Sequence, residues 1–195
     1  MMKRFSPIFI LFAAVIAACA QSNSFSFAMA DEQLRPVDGD SLESPNRRIR
    51  LQGIDAPEYK QKCQDTGGQK YRCGIESLKY IQNLINGQKI KCECEEKPDR
   101  YGRELCVCYA GEIEINRQMV AQGQAVSYRS SRYAEEEKAA KKQKIGIWQG
   151  KFMRPELYRA LKRENEAKWC RQNPKECKAK KERLKAYKKS LKQKH

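Results

Sequence analysis

Residues 50 to 58, Arg-Leu-Gln-Gly-Ile-Asp-Ala-Pro-Glu, set one guanidinium and two carboxylates around a glycine and a proline. An apolar run closing on Asp55, Pro57 and Glu58 has the form of a strand that delivers two acids to its end and then bends. Asp40 stands upstream in Asp38-Gly39-Asp40, and Arg103 downstream in Asp99-Arg100-Tyr101-Gly102-Arg103. Two aspartates and a backbone carbonyl suit calcium, which takes about six to eight oxygen ligands in irregular geometry. A glutamate near such an ion can take a proton from water. Guanidinium groups grip phosphate oxygens in pairs and meet the extra charge of a five-coordinate phosphorus. Together these groups have the chemistry to hydrolyse a phosphodiester. The simpler reading of Asp55 and Glu58 is a helix start, with acids beside the positive end of the dipole.

Composition removes several rivals. The one histidine, His195, is the last residue, so histidine cannot plausibly serve as base, nucleophile partner or metal cluster. There are nine cysteines, and setting Cys19 aside leaves an even number, as suits an oxidising compartment. Cys63 and Cys73 flank a glycine-rich loop. Cys92 and Cys94 share one face of an expected strand, and Cys106 and Cys108 one face of the next. A hairpin across Asp99 to Gly102 sets Cys92 against Cys108 and Cys94 against Cys106, while Cys170 and Cys177 can close a short loop. The rival is a four-cysteine zinc site, but such sites favour C-x(2–4)-C pairs rather than C-x-C on a strand.

The N-terminus reads as an export signal: Lys3 and Arg4, an apolar run, then small residues ending at Ala30 or Ala20. Ile16-Ala17-Ala18-Cys19 also resembles a lipoprotein box, which would tether the chain to a membrane through Cys19. The expected organisation is a signal over 1–30, one domain over 31–150 and a basic, helix-forming tail over 151–195. The formal net charge is +16, and the tail holds 17 Lys/Arg against 5 Glu. Such a block fits a polyanion partner, a solvated face or an anionic membrane surface.

These residues need elements to hold them. Strands are expected over Leu34–Val37, Ser41–Glu43, Arg48–Ile54, Lys89–Cys94 and Glu104–Tyr109, with a polar loop over 59–73. Ile75, Leu78, Ile81 and Ile85 have helical spacing and stop at Asn86-Gly87; shorter helices are expected over Ile115–Gln122 and Tyr133–Lys144. The fold class is α+β.

Val-Asp-Gly-Asp-Ser (37–41), residues 50–58, Asp99–Arg103 and Ile-Gly-Ile-Trp (145–148), in that order, resemble the staphylococcal nuclease (thermonuclease) family over roughly residues 33–150. The resemblance implies an OB-fold, a five-stranded β-barrel with three helices, that hydrolyses DNA and RNA with calcium and leaves 3′-phosphates. Asp40, Asp55 and the carbonyl of Ala56 are then expected to hold calcium. Glu58 is the expected general base, Arg50 and Arg103 the phosphate clamp, and Arg100 and Tyr101 the nucleotide site. Ala56 stands where the family often has threonine, Ser41 replaces another threonine, and the connection from Asp40 to Arg50 is short. An exported monomer, periplasmic or secreted, is expected. The alternatives are an inactive nucleic-acid-binding module of the same fold and an envelope-anchored interaction protein.

Overall fold

The computed structural model describes residues 33–129 and 132–192. The export segment, Cys19 and both cleavage positions lie outside the described residues. The described residues open with three short strands, β1 (Arg35–Asp38), β2 (Ser41–Glu43) and β3 (Arg48–Leu51), then β4 (Ile54–Asp55), β5 (Cys63–Gln64) and β6 (Lys70–Tyr71). Helix α1 (Cys73–Ile85) leads to β7 (Ile90–Cys94), β8 (Glu104–Ala110) and β9 (Ile113–Glu114). Then come α2 (Ile115–Ala121), β10 (Val126–Ser127) and α3 (Ala134–Gln143), a 3₁₀ turn over Gly146–Gln149, α4 (Pro155–Gln172) and α5 (Pro174–Lys192).

The α+β class holds, with a mixed main sheet. Its order is β1-β2-β3-β8-β7, and β9 pairs with β8. Neighbours are antiparallel except β3 and β8, which run parallel with Arg50 opposite Leu105. Among the described residues the strand pairings do not by themselves show a closed barrel, and β4 pairs with β10 rather than extending β3. Five α-helices occur among the described residues: α1 to α3 are the three expected in the domain, and the expected helical tail forms two more.

Alternation explains β3. Ile49 and Leu51 are fully buried, while Arg48 and Arg50 take the other face. Burying an aliphatic side chain of this size contributes roughly 1.5–3 kcal/mol. The strand does not run unbroken to Ile54 as its pattern suggests. It breaks at Gln52 and Gly53, where Gly53 has a φ of 75°, a conformation costly for any residue with a Cβ. The buried side chain of Asn116 on α2 holds that break, donating to the carbonyls of Gln52 (2.9 Å) and Cys106 (3.1 Å). The chain then re-enters the interior as β4, carrying Asp55 with it.

The register of β7 and β8 sets Cys92 opposite Cys108 and Cys94 opposite Cys106, and both pairs are disulfides. Cys63–Cys73 and Cys170–Cys177 complete four bridges among the described residues. The loop over 59–73 thus contains a small ladder, β5 with β6, and its bridge joins the first residue of α1. Among the described residues no helix is long and apolar enough to cross a membrane.

Replacing Cys63 and Cys73 together by serine is expected to lower unfolding free energy by about 2–3 kcal/mol, through loss of loop closure. Chemical denaturation checks this, and an unchanged midpoint would show that the loop is held without its bridge.

Candidate active site

Three short elements converge on one cleft. The β1–β2 turn supplies Asp40, whose backbone N–H donates to Asp38 Oδ1 (3.0 Å) and whose carbonyl accepts from Leu51 N–H (2.8 Å). The Ser41 hydroxyl donates to Asp40 Oδ1 (3.0 Å), and Ala56 N–H donates to Asp40 Oδ2 (2.9 Å). The residue after Asp-Gly-Asp therefore supports the aspartate through its hydroxyl, which serine provides as well as threonine. Ala56 turns its amide to Asp40, and its side chain is buried in the core.

Arg50 joins the two aspartates. Its Nη1 donates to Asp40 Oδ1 at 2.7 Å and its Nη2 to Asp55 Oδ1 at 3.1 Å, with a further contact to the Ile54 carbonyl at 3.3 Å. Asp55 is wholly buried and Asp40 nearly so. Burial pushes the Asp40 carboxyl up and Arg50 opposes this. Burial alone would lower the Arg50 guanidinium, but Asp40 and Asp55 outweigh it, so its proton is held more firmly than usual.

Glu58 follows buried Pro57 and is partly exposed. Its backbone is tightly boxed. Glu58 N–H donates to the side chain of buried Gln61 (3.2 Å), and its carbonyl lies where a Cβ on Gly74 would stand only 1.9 Å away. Only glycine lets α1 start so close to the glutamate. Arg103, at the mouth of the β7–β8 hairpin, donates from Nε (2.9 Å) and Nη2 (2.7 Å) to Asp99 Oδ2. Arg100 and Arg103 lie over the exposed Tyr101 ring at 4.9 and 5.5 Å.

The cleft has a volume of about 860 Å³ and is lined by Asp40, Arg50, Glu58, Arg100, Tyr101 and Arg103, among others. The expected residues are thus brought together, apart from Ala56, which backs Asp40, and Asp55, which is covered over. Tyr128 and Arg129, beyond β10, also line it. Seven arginines face the cleft, which favours a polyanion. Sequence reasoning did not find Arg159 of α4, which donates to both oxygens of Asp55 (2.8 and 2.9 Å) and to Glu58 Oε1 (3.0 Å). It lies 104 positions from Asp55, and nothing local to either residue signals the contact.

The buried carboxylates offer only oxygen, a donor set for a hard cation such as calcium or magnesium. Cys94, Cys106 and Glu104 also cluster, but the two sulfurs are bonded to each other and Glu104 holds Arg47. That cluster offers no thiolate.

The family model described as "Staphylococcal nuclease homologue" matches residues 48–150. The chain belongs to this staphylococcal nuclease family. The match includes Arg50, Asp55, Glu58 and Arg103, while Asp40 precedes it and Arg159 follows it. The chain is 34% identical over 121 residues to "Succinoglycan biosynthesis protein ExoI" of Rhizobium meliloti, covering 60% of this chain and 63% of that one. It is 34% identical over 136 residues to "Micrococcal nuclease" of Shigella flexneri (60% and 72%). It is 30% identical over 148 residues to "Uncharacterized endonuclease" of Haemophilus influenzae (71% and 74%). Family and relatives together support nuclease activity, and hence a nucleic-acid substrate, at the level of the family.

Asp99 sets the pH dependence of its pairing with Arg103. Desolvation is the largest single influence and opposes ionisation, but the Arg103 and Tyr101 amides and the Arg103 guanidinium together outweigh it, holding Asp99 below its ordinary 3.8. The bonds it makes are therefore fully present above pH 3.8 and lost only as pH falls through the lower folded value. The Arg103 Nε–H resonance is expected to stay constant from neutral pH down to that range. A change already at pH values above 3.8 would contradict it.

Proposed function

We propose that the protein is an exported, calcium-dependent nuclease that hydrolyses the phosphodiester backbone of DNA and RNA and leaves 3′-phosphate ends. The observation that carries this reading is one cleft lined by Asp40, Arg50, Glu58 and Arg103, in which Arg50 links Asp40 to the buried Asp55 behind it. On the family pattern, the scaffold under the site is an OB-type barrel extended by the tail.

In this reading Asp40, Asp55 and the Ala56 carbonyl hold calcium, whose charge stabilises the phosphoryl oxygens. Glu58 takes a proton from the attacking water, whose oxygen bonds to phosphorus. The bond from phosphorus to the 5′ oxygen breaks, leaving a 3′-phosphate and a 5′-hydroxyl. Arg50 and Arg103 hold the phosphate oxygens while negative charge grows on them, and Arg103 assists the leaving oxygen. Tyr101, stacked on Arg100, gives a neighbouring base an aromatic face that tolerates any sequence. Four disulfides support export to an oxidising compartment.

The test is cleavage of single- and double-stranded DNA and RNA by the oxidised chain lacking residues 1–30. Calcium is expected to support cleavage and a chelator to abolish it. Glu58→Gln is expected to lower turnover by about 10²–10⁴-fold while the protein stays folded. Normal turnover by the Glu58→Gln protein would remove Glu58 as the base. Salt-sensitive binding without cleavage in any metal would move the protein to the binding-module class.

A further inference from the structure

Arg159 lies beyond the family match, in the tail, yet it makes as many hydrogen bonds in the site as Arg50 does. Its Nη1 donates to Asp55 Oδ1 and Glu58 Oε1, and its Nη2 to Asp55 Oδ2. Asp55 Oδ1 also accepts from Arg50, so both oxygens of Asp55 are taken by guanidinium groups and none of the residue is exposed. The fork geometry makes this a strong pair of charge-assisted bonds. Asp55 and Glu58 in turn raise the affinity of Arg159 for its proton, although burial alone would lower it.

Arg159 is delivered by a docked element. Gln61, which accepts from the Glu58 amide, donates to the Met153 carbonyl at 2.6 Å. Gln64 N–H donates to the Lys151 carbonyl (2.8 Å), and Arg154 Nη2 to the Ser127 carbonyl (3.1 Å). Buried Pro155 opens α4, and Arg159 and Arg163 follow at intervals of four residues, so all three share one face. Both arginines line the cleft. The helix is therefore pinned at its start beside Glu58, and its first full turn carries a cation onto the carboxylates.

A guanidinium and a divalent ion would both be neutralised by Asp55 and repel each other, so Asp55 cannot serve both in this geometry. We propose that Arg159 is an internal counter-ion that competes with the metal for Asp55 while also holding Glu58. The tail helix keeps the acids neutralised and sheltered, and binding of the ion requires this guanidinium to let go. Calcium affinity is thus set partly by a residue outside the domain that holds the site. The inference rests on the proposed role of Asp55 as a calcium ligand.

The test is calcium binding by calorimetry, without substrate, on the full chain after residue 30. It compares the unsubstituted protein with Arg159→Gln, Arg159→Lys and Asp55→Asn. Arg159→Gln is expected to bind calcium about tenfold more tightly, as a coupling of this kind between two ligands of one site implies. Arg159→Lys keeps the charge but loses the fork, and is expected to fall between the two. Asp55→Asn is expected to lose the ion. Unchanged or weaker binding by Arg159→Gln and Arg159→Lys, with Asp55→Asn still losing calcium, would overturn the competition and leave the metal site standing. Absence of calcium binding in the unsubstituted protein and both Arg159 variants would overturn the metal site and the competition together.

Discussion

Carboxylates cannot be buried without partners, and at this site Asp40 and Asp55 are both buried beside short strands. Asp40 and Asp55 lose almost all contact with water; Asp40 is answered by Arg50, the Ala56 amide and the Ser41 hydroxyl, and Asp55 by Arg50 and Arg159. Removing one partner of such a set typically costs about 3–5 kcal/mol, because the remaining charge stays buried and unmatched. The β1–β2 turn, the break after β3 and the docking of α4 each bring one member of the set to the others. The cleft is the place where these charges balance.

The rest of the molecule makes that balance rigid. Parallel pairing of β3 with β8 places the arginine strand beside the hairpin that ends in Arg103. Two disulfides cross that hairpin, and a third ties the loop after Glu58 to α1. Catalytic groups on short strands and turns gain precision from this bracing, since each turn is fixed at both ends. The charge of the tail also takes on a second meaning. Its lysines and arginines are a basic surface, but Arg159 and Arg163 line the cleft itself.

Much of this was legible in the sequence where the signal is local. The Asp-Gly-Asp turn, the Arg50 to Glu58 run and the Asp99 to Arg103 turn carry their own geometry, and C-x-C on paired strands fixes two disulfides by alternation alone. The helix from Cys73 to Ile85 follows from its apolar spacing and its Asn86-Gly87 stop. What was not legible depends on contacts distant in sequence. An apolar pattern through Ile54 reads as one strand, because nothing in it reveals that Asn116 will hold the carbonyl of Gln52 and let the chain turn inward. For the same reason the sequence does not reveal that β4 pairs with β10 instead of extending β3. Arg159 sits in a basic helix among many similar residues. Its distinction comes from buried Pro155 one turn earlier and from Gln61 reaching Met153, neither of which composition reveals.

The central claim is that Asp40 and Asp55 form a metal site whose charge is matched by arginines when no ion is bound. A crystal structure of the oxidised chain grown with calcium tests it most directly. The result in agreement is an ion held by the carboxylates of Asp40 and Asp55, with the Arg159 guanidinium withdrawn from Asp55. Electron density that leaves Arg159 on both oxygens of Asp55, with calcium bound elsewhere or not at all, would contradict it.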